Sequence, residues 1–365
     1  MQIPANRLDL TFRENQNEYE EKALSVLRSG WYVLGEENTA FEREFADFLG
    51  GGRVVGVGCG LDAITIALHT LGIGPGDEVV VQANTYIATV LAVTHNGATP
   101  VFSEPDDHFA MDPECLEKKI TPRTKAVLVT HLYGMMTPMD GIRSVCDRHG
   151  LLLVEDCAQA HGCEWNGKKA GLFGEAGCFS FYPTKNLGAF GDGGAVVVQE
   201  PMLEENIRCY RNYGSDRPYH NAETGVNSRL DELQAGLLRV KLTHLDDFNR
   251  VKSEIAERYL REIRNPLIRL PQHVVGAKNV WHQFVIRCEQ RDALRTYLQK
   301  KGIGTAIHYP VPPHLSEAYR SIGVLKGAFP VAERLADTVV SLPSYFGLTE
   351  EEQAYIIEAL NAFRE

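Results

Sequence analysis

No stretch of the 365-residue chain supplies the roughly 20 unbroken apolar residues that a membrane-spanning helix needs. The longest apolar reach, Val79 to Val93, is interrupted by Gln82, Asn84 and Thr85. Met1 to Leu10 lacks a basic run followed by an apolar core, so no secretory signal is expected. Basic side chains are the minority, 37 against 48 acidic, for a net charge of −11. That balance is poor for wrapping nucleic acid but leaves room for one local anion cleft. The eight cysteines, at 59, 115, 146, 157, 163, 178, 209 and 288, are scattered and often lie in apolar runs. They read as reduced thiols rather than a disulfide framework. Disorder is excluded by 44% hydrophobic and 23% charged residues. The expectation is a cytoplasmic globular protein of about two domains, with no membrane and no nucleic-acid partner.

What is present is an alternation. Arg53 to Gly58, Glu78 to Gln82, Val101 to Phe102, Ala126 to Val129 and Leu151 to Val154 are short, continuously apolar runs. Between them Ala63 to Leu71, Ile87 to His95, Leu116 to Ile120 and Met139 to His149 carry helical spacing. Strands apolar on both faces, separated by helices, predict an α/β layer with a mostly parallel sheet covered on both sides. After about residue 200 the pattern changes. Leu203 to Tyr213, Asp231 to Val240 and the long charged stretch Leu245 to Ile263 read as helices. Val280 to Cys288 reads as a strand, and Arg291 to Lys301 and Glu350 to Arg364 as further helices. We therefore expect a large domain over residues 1–245 and a smaller α+β domain over 246–365, with the first 30 or so residues packing on the smaller one.

Several motifs bear on chemistry. The turn Gly56-Val57-Gly58-Cys59-Gly60-Leu61-Asp62 joins a strand to a helix, where free amides and the helix dipole favour an anion. It fails as a dinucleotide fingerprint because position 61 is Leu, and it reads either as a phosphate cup or as a structural turn. Residues 162–168 nearly spell a P-loop, but Lys169 stands where Ser or Thr must reach magnesium. Cys157, His161, Cys163 and Cys178 do not match paired zinc-ligand spacing, so no metal is expected.

Asp156 closes an apolar strand and so stands at the strand end where α/β sheets bind ligands. Lys185 follows a strand and Pro183, among apolar and small residues that would desolvate its amine and free it for Schiff-base chemistry. An anion cup, a strand-end Asp and a desolvated Lys are what pyridoxal phosphate requires.

At this point the chain resembles the fold-type I, pyridoxal-phosphate-dependent nucleotide-sugar aminotransferases. The matching motifs are G-C-G-L-D-A at 58–63, A-N-T-Y-I-A at 83–88, E-D-C-A-Q-A-H-G at 155–162, F-S-F-Y-P-T-K-N-L-G at 179–188 and G-D-G-G at 191–194. R-N-Y-G at 211–214, G-V-N-S-R-L-D-E-L-Q-A at 225–235 and G-I-G-T-A-I-H-Y-P at 302–310 extend the match over almost the whole chain.

The resemblance implies roles. Lys185 would be the Schiff-base lysine and proton shuttle, Asp156 the partner of the pyridinium nitrogen, and Gln159 a contact of the ring oxygen. Tyr86 would stack on the ring, while Gly60, Leu61 and Ser180 would hold the phosphate. Asn227, reaching in from a second subunit, would complete the cup and make the protein a homodimer with active sites at the interface. Tyr182, His308 and Tyr309 would face the sugar. Two departures stand out: Cys59 replaces the usual Asn or Ser, and Thr184 the usual Gly before the lysine. Relatives in which His replaces the lysine are dehydratases, so Lys185 favours transamination. The implied reaction is amination of a nucleotide-linked, dTDP-type 3-keto-6-deoxyhexose by L-glutamate. Amination at C4, and a non-catalytic regulator on the same fold, are the alternatives.

Overall fold

The computed structural model of the chain describes residues 1–364. Three helices lead: α1 (Leu8–Glu14), α2 (Gln16–Ser29) and α3 (Glu36–Leu49). The alternating region follows as β1 (Arg53–Val57), α4 (Gly60–Thr70), β2 (Glu78–Gln82), α5 (Ile87–His95), β3 (Thr99–Ser103), α6 (Pro113–Glu117), β4 (Thr124–Thr130), α7 (Met139–His149) and β5 (Leu152–Asp156). Short β6 (Glu164–Trp165) and β7 (Lys168–Lys169) precede β8 (Ala176–Ser180), β9 (Gly194–Val198) and α8 (Pro201–Tyr210). Then come β10 (Ser215–Arg217), β11 (His220–Asn221), α9 (Glu232–Thr243) and α10 (Leu245–Glu262). The chain ends with β12 (Ala277–Lys278), β13 (Phe284–Arg287), α11 (Arg291–Lys300), α12 (Pro330–Thr338), β14 (Val339–Leu342) and α13 (Glu350–Ala362).

Seven strands form one sheet in the order β1-β9-β8-β5-β4-β2-β3. The ladder from β8 to β3 is parallel, and β9 runs antiparallel to both of its neighbours. Alternation along each strand feeds two cores. Val80, Val127 and Val129 enter the core built with Phe41, Phe45 and Ile142 of α3 and α7. Val79, Val81 and Leu128 enter the opposite core with Ile64, Leu68 and Val90 of α4 and α5. This two-sided cover is why the strands are apolar without a break. Phe45 meets Phe179 and Phe181 edge-on at 5.0 and 5.6 Å, pairs worth about 0.5–1.5 kcal/mol each beyond their burial.

A third cluster joins Tyr259, Trp281, Phe284, Leu298 and Leu360 in the C-terminal region. Ile3 belongs to it and bridges to Ile303. Of the first 30 residues, only the segment up to Leu10 reaches this cluster. The side chains of Lys22 and Val26 on α2 lie against Gly236 of α9. The strand expected over Val280 to Cys288 shortens to β13. Trp281 takes a left-handed φ of 47°, and Val280 and Trp281 donate their amides to the Gly134 carbonyl rather than to a ladder. Likewise the helix expected over Leu116 to Ile120 is α6, started earlier by Pro113 behind the Asp112 cap.

Candidate active site

The C-terminal ends of β4, β5 and β8 and the start of α4 converge on one cleft. At the close of β5, Asp156 is buried, and its two oxygens are separately engaged. Thr89 Oγ1 of α5 donates to Oδ2 at 2.6 Å, and the Ala158 amide donates to Oδ1 at 3.1 Å. Thr89 is held in turn by Thr85 at 2.8 Å, and Thr85 by Thr130 at 2.9 Å. Residues 85 and 89 face each other because they stand four apart where the chain enters α5. This chain of hydroxyls fixes the direction of the Asp156 carboxylate.

Lys185 follows β8 in a tight turn closed by its own amide on the Tyr182 carbonyl at 2.8 Å. Burial pushes its ammonium down to about 8, against the opposing pull of Asp156. The site therefore contains an amine that loses its proton near neutral pH beside a buried carboxylate.

Gly60 and Leu61 are the first two residues of α4, so their N–H groups have no acceptor within the helix. Cys59 caps the helix, its Sγ accepting the Asp62 amide at 3.4 Å. A Cβ on Gly60 would lie 2.5 Å from the Ser180 Cβ. Glycine is thus required for the helix start to approach β8 this closely. Together these groups form a cradle of free amides and one hydroxyl suited to an anion.

Gln159 spans the cleft: its Oε1 accepts the Tyr133 amide, and its Nε2 donates to the Tyr309 hydroxyl at 3.0 Å. The Tyr309 ring lies 4.8 Å from the ring of the half-exposed Tyr86, so the H-Y-P loop touches the same cleft as the A-N-T-Y segment. His308 turns its Nδ1 to Ser341 Oγ at 2.7 Å, and burial with the nearby Lys185 pushes it down to about 4. Tyr182 is exposed at the mouth. Asn227 is also exposed, donating to the Tyr213 hydroxyl at 2.8 Å. Thr184 is exposed as well. Thr89 and Tyr133 were missed by sequence reasoning, since nothing in the chain links Thr89 to a carboxylate 67 residues away.

The buried group His131, Glu155 and Cys157 gathers ligand-type atoms, yet the polar atoms of His131 and Glu155 are already partnered. Glu155 accepts the amides of Gly171, Phe173 and Gly174 and lies 3.0 Å from His131 Nε2, while His131 Nδ1 accepts the Thr137 amide. It pins the loop after β5 against the approach to β8. Among the described residues no helix is long and apolar enough to cross a membrane.

Comparison with known proteins places this geometry. The sequence pattern of the DegT/DnrJ/EryC1/StrS aminotransferase family matches residues 13–361. The erythromycin biosynthesis sensory transduction protein EryC1 of Saccharopolyspora erythraea is 48% identical over 364 residues, covering 99% of this chain and 100% of that protein. The dTDP-3-amino-3,4,6-trideoxy-alpha-D-glucose transaminase of Streptomyces venezuelae is 47% identical over 365 residues, covering 100% and 96%. The crystal structure of S. venezuelae DesV in complex with a ketimine intermediate superposes with a TM-score of 0.97 at 47% identity, over 99% of this chain and 98% of that one. With a fold-type I α/β architecture throughout and a family match that leaves out only the chain ends, this chain belongs to the DegT/DnrJ/EryC1/StrS aminotransferase family.

Proposed function

We propose that the protein is a pyridoxal-phosphate-dependent transaminase that installs the amino group on C3 of a nucleotide-linked 3-keto-6-deoxyhexose, of the dTDP type, with L-glutamate as donor. The observation that carries the reading is the pairing of an amine pushed down to about 8 with a buried, hydroxyl-anchored carboxylate beside a helix start. The C3 position is supported by the likeness to a 3-amino-sugar transaminase at 47% identity.

The residues fit the cofactor. The cradle at Gly60, Leu61 and Ser180 suits a phosphate, and Asp156, with each oxygen already accepting one donor, keeps lone pairs free for a ring N–H. When bound, pyridoxal phosphate supplies a ring that takes up the electron pair left as a proton departs from the carbon bearing nitrogen. Lys185 Nζ, largely neutral above pH 8, takes the α proton of the amino donor and later delivers a proton to the sugar carbon that gains the amino group. The Asp156 carboxylate holds a proton on the ring nitrogen, and the Thr89 hydroxyl keeps Oδ2 in place while it does so. Tyr86 and Gln159 limit tilt and rotation of the ring, and Tyr182, His308 and Tyr309 present polar groups to the sugar.

We assign residues 1–245 to a large domain and 246–365 to a smaller one. The working molecule is a cytoplasmic homodimer in which Asn227 completes the neighbouring subunit's phosphate cup. Exposed Trp31, Tyr32 and Tyr213, 64%, 53% and 50% accessible in the single chain, support a covering partner.

Two measurements test the reading. Borohydride reduction and peptide mapping should find the phosphopyridoxyl group on Lys185; a label on Lys168 or Lys169 overturns the site. Turnover of dTDP- and UDP-keto-sugars, with the amino position read by NMR, should give a 3-amino product. A C4 product corrects the regiochemistry, and an unlabelled protein without turnover favours the regulatory role suggested by the name of the S. erythraea relative.

A further inference from the structure

Beside the cleft, and lined by none of Gly60, Leu61, Tyr86, Asp156, Gln159 or Ser180, lies a cavity of about 40 Å³. Arg7, Thr184, Lys185, Lys241, Lys252 and Tyr345 are among its walls, and no carboxylate is. Arg7 is already neutralised by Asp9 at 2.6 Å. The three lysines are not: among the described residues the lysines in ion pairs with carboxylates are Lys22 and Lys278.

Among the described residues Lys241 Nζ donates only to the Gly188 carbonyl, at 3.0 Å. Lys252 Nζ donates to the carbonyls of His282 at 3.1 Å and Ser344 at 2.8 Å. An ammonium has three donors, so two on Lys241 and one on Lys252 are without a partner. Burial pushes Lys241 down to about 8, and Lys252, which also feels Lys241, to about 7. Lys241 is buried and Lys252 half-buried, and an anion between them would offset the downward push and hold both amines protonated.

The geometry points to a site for one small monovalent inorganic anion, of the size of chloride, held between Lys241 and Lys252 beside the Lys185 turn. The volume suits a small inorganic anion and is far below that of a nucleotide-sized pocket. One wall is the turn that carries Lys185, so an anion here would brace that turn through Lys241 and Gly188. The inference does not depend on which sugar, or which reaction, the cleft serves.

Bromide is the probe. Crystals of the holoenzyme grown with bromide should show an anomalous peak in this cavity, using the unaltered chain. In solution, with ionic strength held by sodium gluconate, whose anion is too large for the cavity, replacement by bromide should raise the melting temperature saturably, by about 2 °C or more. Lys241→Met, which keeps the side-chain length and removes the charge, should abolish most of that rise. The absence of a peak in the cavity overturns the site. So does a bromide response in Lys241→Met equal to that of the parent. If that variant does not fold, the crystal measurement alone decides.

Discussion

A buried carboxylate is useful to a cofactor ring only if its direction is fixed, and here a threonine does the fixing. Thr89 donates to Asp156 at 2.6 Å, a short hydrogen bond to a charged acceptor, of a class worth about 1.5–3 kcal/mol. Asp156→Asn should retain the cofactor and lose on the order of 10²-fold or more in kcat. Thr89→Val, nearly isosteric, should lose about tenfold, with a smaller change in cofactor affinity. Rapid-quench measurement of the glutamate half-reaction checks both, and an unchanged Thr89→Val rate would remove the threonine from the site. Lys185 makes a second residue-scale prediction. Its ammonium is pushed down to about 8, so the neutral amine is a minority at pH 7 and predominates above pH 8. Covalent uptake of pyridoxal phosphate by the apoprotein should therefore rise by about tenfold between pH 6 and 7, bend near pH 8 and level off above it. A bend near the ordinary lysine value would show the amine to be solvated. Asp156 and Lys185 were legible in the chain because each sits in a short motif at a strand end. Thr89 was not, because its partner comes from a different strand–helix unit.

The start of α4 shows how an element, rather than a residue, makes a binding group. Its first N–H groups are unpaired because a helix leaves them so, and they become a cradle only because β8 passes close enough for Ser180 to join. Gly60→Ala places a Cβ 2.5 Å from that of Ser180, so one backbone must yield. We expect about 1–3 kcal/mol lost in stability and a larger proportional loss in affinity for pyridoxal phosphate, measured by fluorescence titration. A variant of undiminished affinity would place the phosphate elsewhere. The glycine turn was visible in the sequence, but only the family resemblance joined it to Ser180; no local pattern could, since that closeness depends on β9 entering antiparallel between β1 and β8. Helices α1 and α2 were not picked out for a related reason. Helix α2 buries only Tyr19 and Val26 and α1 buries nothing, so the apolar stripe that announces a helix is too thin to read there. Helix α3, with Phe41, Phe45 and Leu49 four residues apart, carried a readable stripe that was passed over. At β13 the opposite happened: apolar residues from Val280 onward imitate a strand, yet the first of them hydrogen-bond to Gly134, which follows β4.

At the scale of the molecule, the question is whether one chain furnishes the cofactor cleft alone or shares it with a second copy. The sheet, the lysine turn and the helix start are all present, while Asn227, assigned to the phosphate, is exposed and occupied with Tyr213. Exposed Trp31, Tyr32 and Val226 leave apolar surface uncovered. Such surface is invisible to periodicity, because residues that meet a second copy obey that copy's shape and not the helical repeat. If Asn227 serves across a two-fold axis, two dead variants should rescue each other. Lys185→Ala lacks the amine but keeps Asn227; Asn227→Glu keeps the amine but sets a negative charge against the phosphate. In a mixed dimer one site joins an intact Lys185 to an intact Asn227, and the other carries both lesions. Half of randomly mixed dimers are hybrids with one working site each, so co-expression should restore about one quarter of the parental activity. Were Asn227 to act within its own chain, every site in the mixture would be broken and nothing would return. Turnover of the co-expressed pair, with the hybrid purified by two different affinity tags, therefore separates a shared active site from a self-contained one.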